Sequence, residues 1–335
     1  MPAAPDQNNQ QLDPHLICVD WGTTHMRAYL CAIQPDRLQL LATVNGPGIA
    51  QAKGDCARLL FTATQDWNRQ YGKLPYLLSG MVGSTLGWQQ VAYQACPAAV
   101  RELAEACLLF TENGHRIAIV PGVSVTNPLA QADVMRGEEL QVLGWLQASA
   151  ADPEQDALLC LPGTHTKWVL LQKGHIVSFV TGFSGELYAL LKQHSILLGG
   201  NKNPALQQTG FDQSFAESFT EGVAQAQTDG SNLLIHQLFS VRSRQVQGLL
   251  AAEAAADYLS GLIIGSDVAA AIKSYGPHMR QGNPVAVIGS DDLCARYGLA
   301  LQQFSCTSRG WRAQDVALAG YHTLYTALIE RHSWS

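Results

Sequence analysis

The chain has 335 residues, of which 47% are apolar and 14% charged, and its formal net charge is −6. This length exceeds the roughly 250–300 residues at which one hydrophobic core stops growing, so two domains with a cleft between them are expected. The acidic balance excludes a general attraction to nucleic acid or to an anionic membrane, so any phosphate binding requires a local site.

The cysteines and the apolar segments indicate a cytoplasmic protein. The eight cysteines form no Cys-x-x-Cys pair and lie mostly in apolar runs, which is typical of free buried thiols. Residues 1–15 lack the features of a signal peptide and are predicted to be a disordered polar tail. The most apolar helical segment, 255–272, carries Asp257 and Asp267 and contains no uninterrupted apolar run of about 18 residues. We therefore expect no membrane partner and a reducing compartment.

A three-strand pattern with a glycine turn occurs twice. The first copy is LICVD, the turn DWGTT, MRAYLCAI and LQLLATV; the second is ALLCLPG, the turn GTHT, KWVLLQ and HIVSFVTG. Aligning Gly22 with Gly163 places Thr23 on Thr164 and Thr24 on His165. Two copies of one supersecondary unit predict two domains of the same fold.

Strands and helices alternate after each meander, which predicts α/β domains. Strands are expected at 75–80 and 284–289, and helices at 136–149, 253–275 and 312–330. The polar segment 149–157 is the best boundary between the halves. The predicted organisation is a tail at 1–15, a first domain at 16–153 and a second at 154–335.

The two glycine turns are candidate phosphate-binding loops. Exposed amides after a glycine can bind phosphate oxygens, and a carboxylate at the strand end, here Asp20, can hold hydrated Mg²⁺. A single such turn, for example Gly22 to Thr24, is also compatible with a plain hairpin in which Asp20 caps amides. The second turn, with Gly163, favours phosphate binding, because two equivalent turns can hold one polyphosphate from both domains.

This pair of turns resembles those of the actin, hexokinase and Hsp70 superfamily of ATPases. Within that superfamily the chain resembles the 2-dehydro-3-deoxygalactonokinase family, over residues 16–325. The matching segments, in order, are VDWGTTHMRAYL, LLSGMVGSTLGW, DVMRGEELQVLG, LCLPGTHTKWVLL, VTGFSGELYALL, LLIHQLFSVRS, DYLSGLIIGSD and AVIGSDDLCARYGLAL. The resemblance implies two actin-like, ribonuclease H-like domains and ATP- and Mg²⁺-dependent phosphorylation of the 6-hydroxyl of 2-dehydro-3-deoxy-D-galactonate, in galactonate degradation.

Asp133 is the predicted catalytic base. Phosphoryl transfer to an alcohol needs a carboxylate that accepts or orients the attacking proton. Asp133 is expected in a loop before the helix EELQVLGWL, and related sugar kinases carry their catalytic aspartate at a similar loop-to-helix position. The alternative is that Asp133 only stabilises the start of that helix.

Two further segments are predicted to bind the sugar acid. Arg136 can supply paired donors for the substrate carboxylate, or it can pair with Glu138 or Glu139 on the helix surface. The loop after the strand at 75–80 lies at the edge where α/β sheets usually bind ligands, although it can equally be a structural turn. Its candidate residues are Ser79, Gly80, Met81, Gly83 and Ser84. Trp88 either lines the same pocket or belongs to the core.

The second half adds candidates for the nucleotide. Ser184 fits the N-cap of a helix in GFSGE. The segment 286–301 resembles the adenosine motif of the superfamily, with Gly289 and Ser290 where many members have two glycines. His165 and Lys167 can both reach the γ-phosphate, although Lys167 is equally compatible with a solvated surface lysine.

Two other functions remain open from the sequence. One is a kinase of the same fold for another sugar or sugar acid. The other is a non-catalytic actin-like ATP-binding regulator, against which Asp20, both glycine turns and Asp133 count. The expected partner is a small-molecule sugar acid, with no nucleic acid, and the sequence leaves a monomer and a homodimer open.

Overall fold

The computed structural model describes residues 13–149, 154–198, 213–227, 234–279, 283–332 and Trp334. The predicted tail falls mostly on residues 1–12, which lie outside this range. The elements of the first half are β1 (Leu16–Trp21), β2 (His25–Ile33), β3 (Leu38–Pro47), α1 (Ile49–Ala52), α2 (Cys56–Ala63), α3 (Gln65–Tyr71), β4 (Tyr76–Gly80), β5 (Gln94–Ala95), α4 (Val100–Glu105), β6 (Leu108–Glu112), β7 (His115–Ile119), β8 (Val123–Thr126), β9 (Ala132–Met135) and α5 (Glu138–Ala148). Those of the second half are β10 (Ala157–Leu161), β11 (Thr166–Gln172), β12 (His175–Gly182), α6 (Ser184–His194), α7 (Gln213–Gln227), α8 (Leu234–Gln237), α9 (Ser240–Val246), α10 (Ala255–Met279), β13 (Val285–Gly289), α11 (Asp291–Gln303), β14 (Ser308–Arg312) and α12 (Ala313–His332).

The two predicted meanders form the centres of two similar sheets. The first sheet has the order β3-β2-β1-β4-β7-β6, and the second has the order β12-β11-β10-β13-β14. In each, the first strand of the meander pairs antiparallel with the next strand and parallel with a later one, β4 or β13. The strands β1 and β10 are almost wholly buried, as expected for strands covered on both faces. The α/β prediction with two actin-like domains is confirmed.

Helix α10 supplies the core of the second half. By length and composition it meets the requirement for crossing a membrane, but 67% of its most apolar stretch is buried inside the protein. It packs against α7, α6 and α11, and its buried side chains include Tyr258, Val268 and Tyr275. This burial is that of a core helix in a globular protein.

The last helix, α12, returns to the first half. It packs against α5 and α4, and Gly144 and Gly320 allow this close approach, because a Cβ on either would collide with the backbone of the other helix. His322 on α12 also contacts the carbonyl oxygen of Gln34 through Nε2, at 3.1 Å. A boundary between residues 153 and 154 therefore separates the two sheets but does not follow the packing of α12.

A third sheet, β5-β8-β9, connects the halves. Backbone hydrogen bonds join Ala98, just after β5, to Ile176 on β12 in both directions, at 3.0 and 2.8 Å. Both β8 and β9 also pack against β12. The hairpin that carries Asp133 thus lies against the second sheet, which a loop prediction for this segment did not anticipate.

Candidate active site

A cavity of about 460 Å³, here called the central cleft, lies between the two sheets. Residues of both halves and of α12 line it. They are Asp20, Gly22, Thr23, Ser79, Met81, Tyr93, Val134, Met135, Arg136, Gly137, Glu138, Leu140, Gln141, Leu161, Pro162, Gly163, Thr164, His165, Lys167, Ala317 and Tyr321. The cleft therefore brings both predicted phosphate turns to one space.

The first glycine turn is held from behind by the start of α1. The carbonyl oxygens of Gly22 and Thr23 accept hydrogen bonds from the amides of Ile49 and Ala50, at 3.1 and 3.0 Å. In a planar trans peptide the N–H points opposite to the C=O, so the amides of Thr23 and Thr24 point away from α1. Gly48 makes this contact possible, because a Cβ there would collide with the Thr23 carbonyl.

The second glycine turn is held in the same way by the start of α6. The Thr164 carbonyl oxygen accepts from the Glu186 amide at 2.9 Å, so the His165 amide points away from α6. A Cβ on Gly185 would collide with the Gly163 carbonyl. Gly48 and Gly185 therefore have equivalent roles in the two repeats, since each lets a helix approach the turn. Neither glycine was predicted as a site residue, although a glycine shortly after the third strand of each meander was a visible signal.

Both turns leave room for a ligand. Among the residues that the structure describes, a Cβ built on Gly163 meets nothing within 4 Å, and one on Gly22 meets only the His25 carbonyl oxygen, at 3.4 Å. Neither glycine is needed for packing inside the protein, and both line the central cleft. Small residues beside an open space, with amides turned away from the supporting helix, fit a group such as phosphate.

The histidine of the second turn is held by two neighbours. His165 Nε2 lies 2.6 Å from Glu186 Oε2, and its ring stacks on Phe183 with centroids 5.3 Å apart. This fixes the imidazole at the mouth of the cleft. Its counterpart Thr24 does not line the cleft; its hydroxyl lies 2.9 Å from Nδ1 of His25.

Two carboxylates and a lysine occupy the floor of the cleft. Glu138 Oε1 lies 3.9 Å from Lys167 Nζ, and only 6% of the Lys167 side chain is exposed. The alternative of a solvated surface lysine is therefore wrong. Burial raises the pKa of Asp20, and Arg27 opposes the rise. Burial also raises the pKa of Glu138, against the attraction of Lys167.

Asp133 lies in strand β9, so the prediction of a loop was wrong. Its carboxylate accepts hydrogen bonds from the Thr181 amide at 2.8 Å and hydroxyl at 2.6 Å, from Asn127 Nδ2 at 3.2 Å and from the Val134 amide at 2.8 Å. Asp133 is not among the residues that line the central cleft. Its hydrogen bonds with Thr181 make Asp133 a link between β9 and β12.

The loop after β4 contributes only part of the predicted substrate site. Ser79 and Met81 line the cleft, and the Ser79 hydroxyl lies 2.6 Å from that of Tyr321 on α12. The other three residues have local roles. Gly80 has φ +86° and lies against Trp21, Gly83 lies against Arg136, and the Ser84 hydroxyl donates to the Met81 carbonyl at 2.7 Å.

Arg136 lies on the first-domain wall of the cleft. Its Nη2 donates to the Val91 carbonyl at 2.8 Å, and the guanidinium lies over the Tyr93 ring, 4.3 Å from its centroid. Its Nε and Nη1 atoms are buried without a hydrogen-bond partner among the residues that the structure describes. The contact with Glu138 is made by the Arg136 amide instead of the side chain, at 3.1 Å.

Two other expectations have structural answers. Trp88 packs edge-on against Phe61 and Phe110, so its core alternative holds. Ser184 is the first residue of α6 and caps nothing; its hydroxyl is buried 2.7 Å from that of Thr166. The prediction of an N-cap there was wrong.

Gly289 and Ser290 lie beside the second turn without lining the cleft. A Cβ on Gly289 would stand 3.1 Å from the Pro162 ring, so this end of β13 fits closely against the turn. Ser290 is the N-cap of α11 and accepts from the Leu293 amide at 3.3 Å. Their adenosine role stays a prediction.

Comparison with known proteins agrees with this geometry. The sequence profile of the 2-keto-3-deoxy-galactonokinase family matches residues 20–324. The chain belongs to that family. It is 34% identical to the 2-dehydro-3-deoxygalactonokinase of Escherichia coli (strain K12) over 313 residues, which cover 93% of this chain and 98% of the relative.

Solved structures show the same fold. A crystal structure from Sinorhizobium meliloti, which carries the same enzyme name provisionally, matches with a TM-score of 0.79 and 29% identity, over 94% of this chain and 99% of that one. The activator of 2-hydroxyisocaproyl-CoA dehydratase from Clostridium difficile, solved with bound ADPNP, matches with a TM-score of 0.50 and 10% identity, over 95% and 96%. At that identity the second likeness shows the fold alone.

Proposed function

We propose that this family member is an ATP-dependent kinase that phosphorylates the 6-hydroxyl of 2-dehydro-3-deoxy-D-galactonate. The observation that carries the proposal is the pair of equivalent glycine turns, at Gly22 and Gly163, which face one cleft from two sheets and have open space at both glycines. The names of the relatives supply the substrate class.

ATP is proposed to lie along the second domain, with its phosphates between the turns. The amides after Gly22 and Gly163 would donate to phosphate oxygens, and His165, held by Glu186, would stand at the outer end. The carboxyl ends of the parallel strands β10 and β13 meet at one edge of the second sheet. Gly289 and Ser290 at the end of β13 are therefore the proposed adenosine neighbours.

Asp20 is proposed to hold Mg²⁺ through water. Its carboxylate lines the cleft beside the first turn, and hydrated Mg²⁺ prefers oxygen ligands from carboxylates and phosphates. The metal would neutralise charge that develops on the transferred phosphoryl group. Among the described residues no group of three histidine, cysteine or acidic side chains could hold an ion by itself, which fits a metal that is bound mainly with the nucleotide.

Arg136 is the proposed partner of the substrate carboxylate. It lines the cleft from the first domain, and its stacking on Tyr93 fixes the plane of the guanidinium. Ser79 and Met81 would contact the carbon chain of the acid. With its carboxylate on Arg136, a keto acid would extend its far hydroxyl along the cleft.

The cellular setting is proposed from the thiols. All eight cysteines are free, as a reducing cytoplasm requires, and Cys18, Cys31, Cys56 and Cys160 are buried. A small-molecule acceptor is the proposed partner, with neither nucleic acid nor membrane, and both a monomer and a homodimer suit the cleft.

The test is ADP release with a panel of acceptors. The panel contains 2-dehydro-3-deoxy-D-galactonate, its gluconate epimer and neutral sugars of the same length. The proposal is supported if the galactonate derivative has the highest kcat/KM of the acceptors in the panel. Preference for another acceptor would change the substrate, and ATP hydrolysis that no acceptor stimulates would indicate the non-catalytic regulator.

A further inference from the structure

Glu138 opens helix α5 at the floor of the central cleft. Its carboxylate lies between the first turn and the second sheet, with Oε1 3.9 Å from Lys167 Nζ. Lys167 lies four residues after Gly163 of the second phosphate turn, on the same β-hairpin. A phosphoryl group held between the turns would therefore stand beside this carboxylate.

We propose that Glu138, and not Asp133, accepts the proton of the acceptor hydroxyl. The inference rests on the proposed kinase function and names the base within that site. A base must lie within hydrogen-bond reach of the proton that it removes. Glu138 lines the cleft, so a ligand bound there can come within that reach, whereas Asp133 is not among the lining residues.

The hydrogen bonds of the two carboxylates also favour Glu138 over Asp133 as the base. A carboxylate has about four lone-pair sites, and Asp133 meets four donors from Thr181, Asn127 and Val134. Glu138 uses Oε2 for the Arg136 amide at 3.1 Å, while Oε1 has Lys167 at a distance longer than a hydrogen bond. Oε1 is therefore the oxygen that can accept from a substrate hydroxyl.

The electrostatic setting of Glu138 suits the task. Burial raises its pKa, and the nearby Asp20 adds to the rise, while Lys167 and backbone amides lower it. A carboxylate with a raised pKa is a stronger base than one in water. Lys167 limits the rise in the pKa of Glu138, because its positive charge favours the ionised carboxylate.

The transfer step forms one bond to the γ-phosphorus and breaks another. The hydroxyl oxygen of the acceptor forms a bond to the γ-phosphorus of ATP, and its proton passes to Glu138 Oε1. The bond between the γ-phosphorus and the oxygen that bridges to the β-phosphate breaks, and its electron pair stays on ADP. Glu138 then returns the proton to solvent when the cleft opens.

The test compares Glu138→Gln with Asp133→Asn in the full-length enzyme. Both changes remove one negative charge and keep the size of the side chain. Glu138→Gln should lower kcat by ~10² to 10⁴, the usual contribution of a positioned base, with the KM for ATP within about threefold of wild type. Asp133→Asn should lower the melting temperature through weaker contacts with Thr181 and should reduce kcat less than Glu138→Gln does.

The pH profile and the metal dependence separate a base from other roles. Wild-type kcat should fall at acidic pH as Glu138 becomes protonated, and that acidic limb should disappear in Glu138→Gln. A Glu138→Gln enzyme that retains more than about a tenth of wild-type kcat would overturn the proposal. Recovery of that variant by higher Mg²⁺ would also overturn it, since the residue would then act on the metal.

Failure of the proposed function gives a different result. If the wild-type enzyme releases no ADP with any acceptor of the panel, the kinase assignment falls, and the base falls with it. If wild type turns over and Glu138→Gln is equally active, only the role of Glu138 is refuted. Nucleotide affinity, measured by calorimetry on each variant, confirms that the folded proteins still bind ATP.

Discussion

Glu139 is the neighbour of the proposed base and has no access to solvent. Its Oε2 accepts from the Gly137 amide at 2.6 Å, and its Oε1 has no hydrogen-bond partner among the described residues. Burial, aided by the charge of Glu138, raises the pKa of Glu139 from an ordinary 4.5 to about 8. The folded protein therefore holds a proton here that the unfolded chain releases.

The sign of the resulting pH dependence follows from this difference. Between pH 4.5 and 8 the folded state binds more protons at Glu139 than the unfolded state, so stability falls as pH rises. The interval corresponds to about 5 kcal/mol, at about 1.4 kcal/mol for each tenfold change in proton concentration. Replacing Glu139 with glutamine removes the titration and keeps an oxygen for the Gly137 amide.

We expect Glu139→Gln to exceed wild type in stability by about 4 kcal/mol at pH 8 and by less than about 1 kcal/mol at pH 5. At about 2 °C for each kcal/mol in a chain of this size, the melting temperature should rise by roughly 8 °C at pH 8. Calorimetric melts at both pH values measure this. Glu330→Gln, at an exposed glutamate on α12, is the control and should show no such difference.

An equal change in melting temperature at pH 5 and pH 8 would refute the reasoning, because a buried proton must make the difference depend on pH. A variant that is less stable than wild type at both pH values would also refute it. In that case the hydrogen bond to Gly137 would outweigh the burial of the charge.

Three further outcomes are expected from the cleft. The Gly22→Val and Gly163→Val variants should fold, with melting temperatures near that of wild type. Each should weaken ATP binding by about tenfold or more, because the valine side chain would enter the space of the phosphate. Unchanged ATP affinity of both variants in calorimetry would contradict the phosphate site. Asp20→Asn should raise the Mg²⁺ concentration for half-maximal rate more than it lowers the rate at saturating Mg²⁺, and equal loss at every Mg²⁺ concentration would count against the metal role. Small-angle scattering should show a smaller radius when acceptor and a non-hydrolysable ATP analogue bind together, because cleft closure keeps water from the γ-phosphate; an unchanged radius would indicate a rigid cleft.

Local patterns in the sequence predicted most of the strands in the two sheets. The strands predicted at 75–80 and 284–289 are Tyr76–Gly80 and Val285–Gly289, and the helix predicted at 136–149 is Glu138–Ala148. Apolar runs between glycine and polar turns carry this information within a few residues of each boundary. The duplication then predicted which elements occupy equivalent places.

The errors in the site come from contacts between distant residues. Asp133 was expected in a loop between the strand RIAIVPG and the helix EELQVLGWL, but pairing with β8 places it in a strand. Its partner Thr181 is 48 residues further along the chain, and no local pattern predicts that hydrogen bond. The sequence also left a surface position open for Lys167, because its neighbour Glu138 lies in the other half of the chain.

The structural repeat also explains why the two turns can serve one ligand. Each turn has its carbonyl side fixed by the first amides of the helix that follows the third strand, α1 in one half and α6 in the other. Gly48 and Gly185 let those helices approach so closely that a side chain would not fit. Because the carbonyls are held behind the turns, the amides are directed forward before any ligand arrives. The halves differ where the chemistry must be asymmetric: the first turn is preceded by Asp20, whereas the second is followed by Lys167 and contains His165. A polyphosphate between them would meet the Asp20 carboxylate on one side and the side chains of His165 and Lys167 on the other.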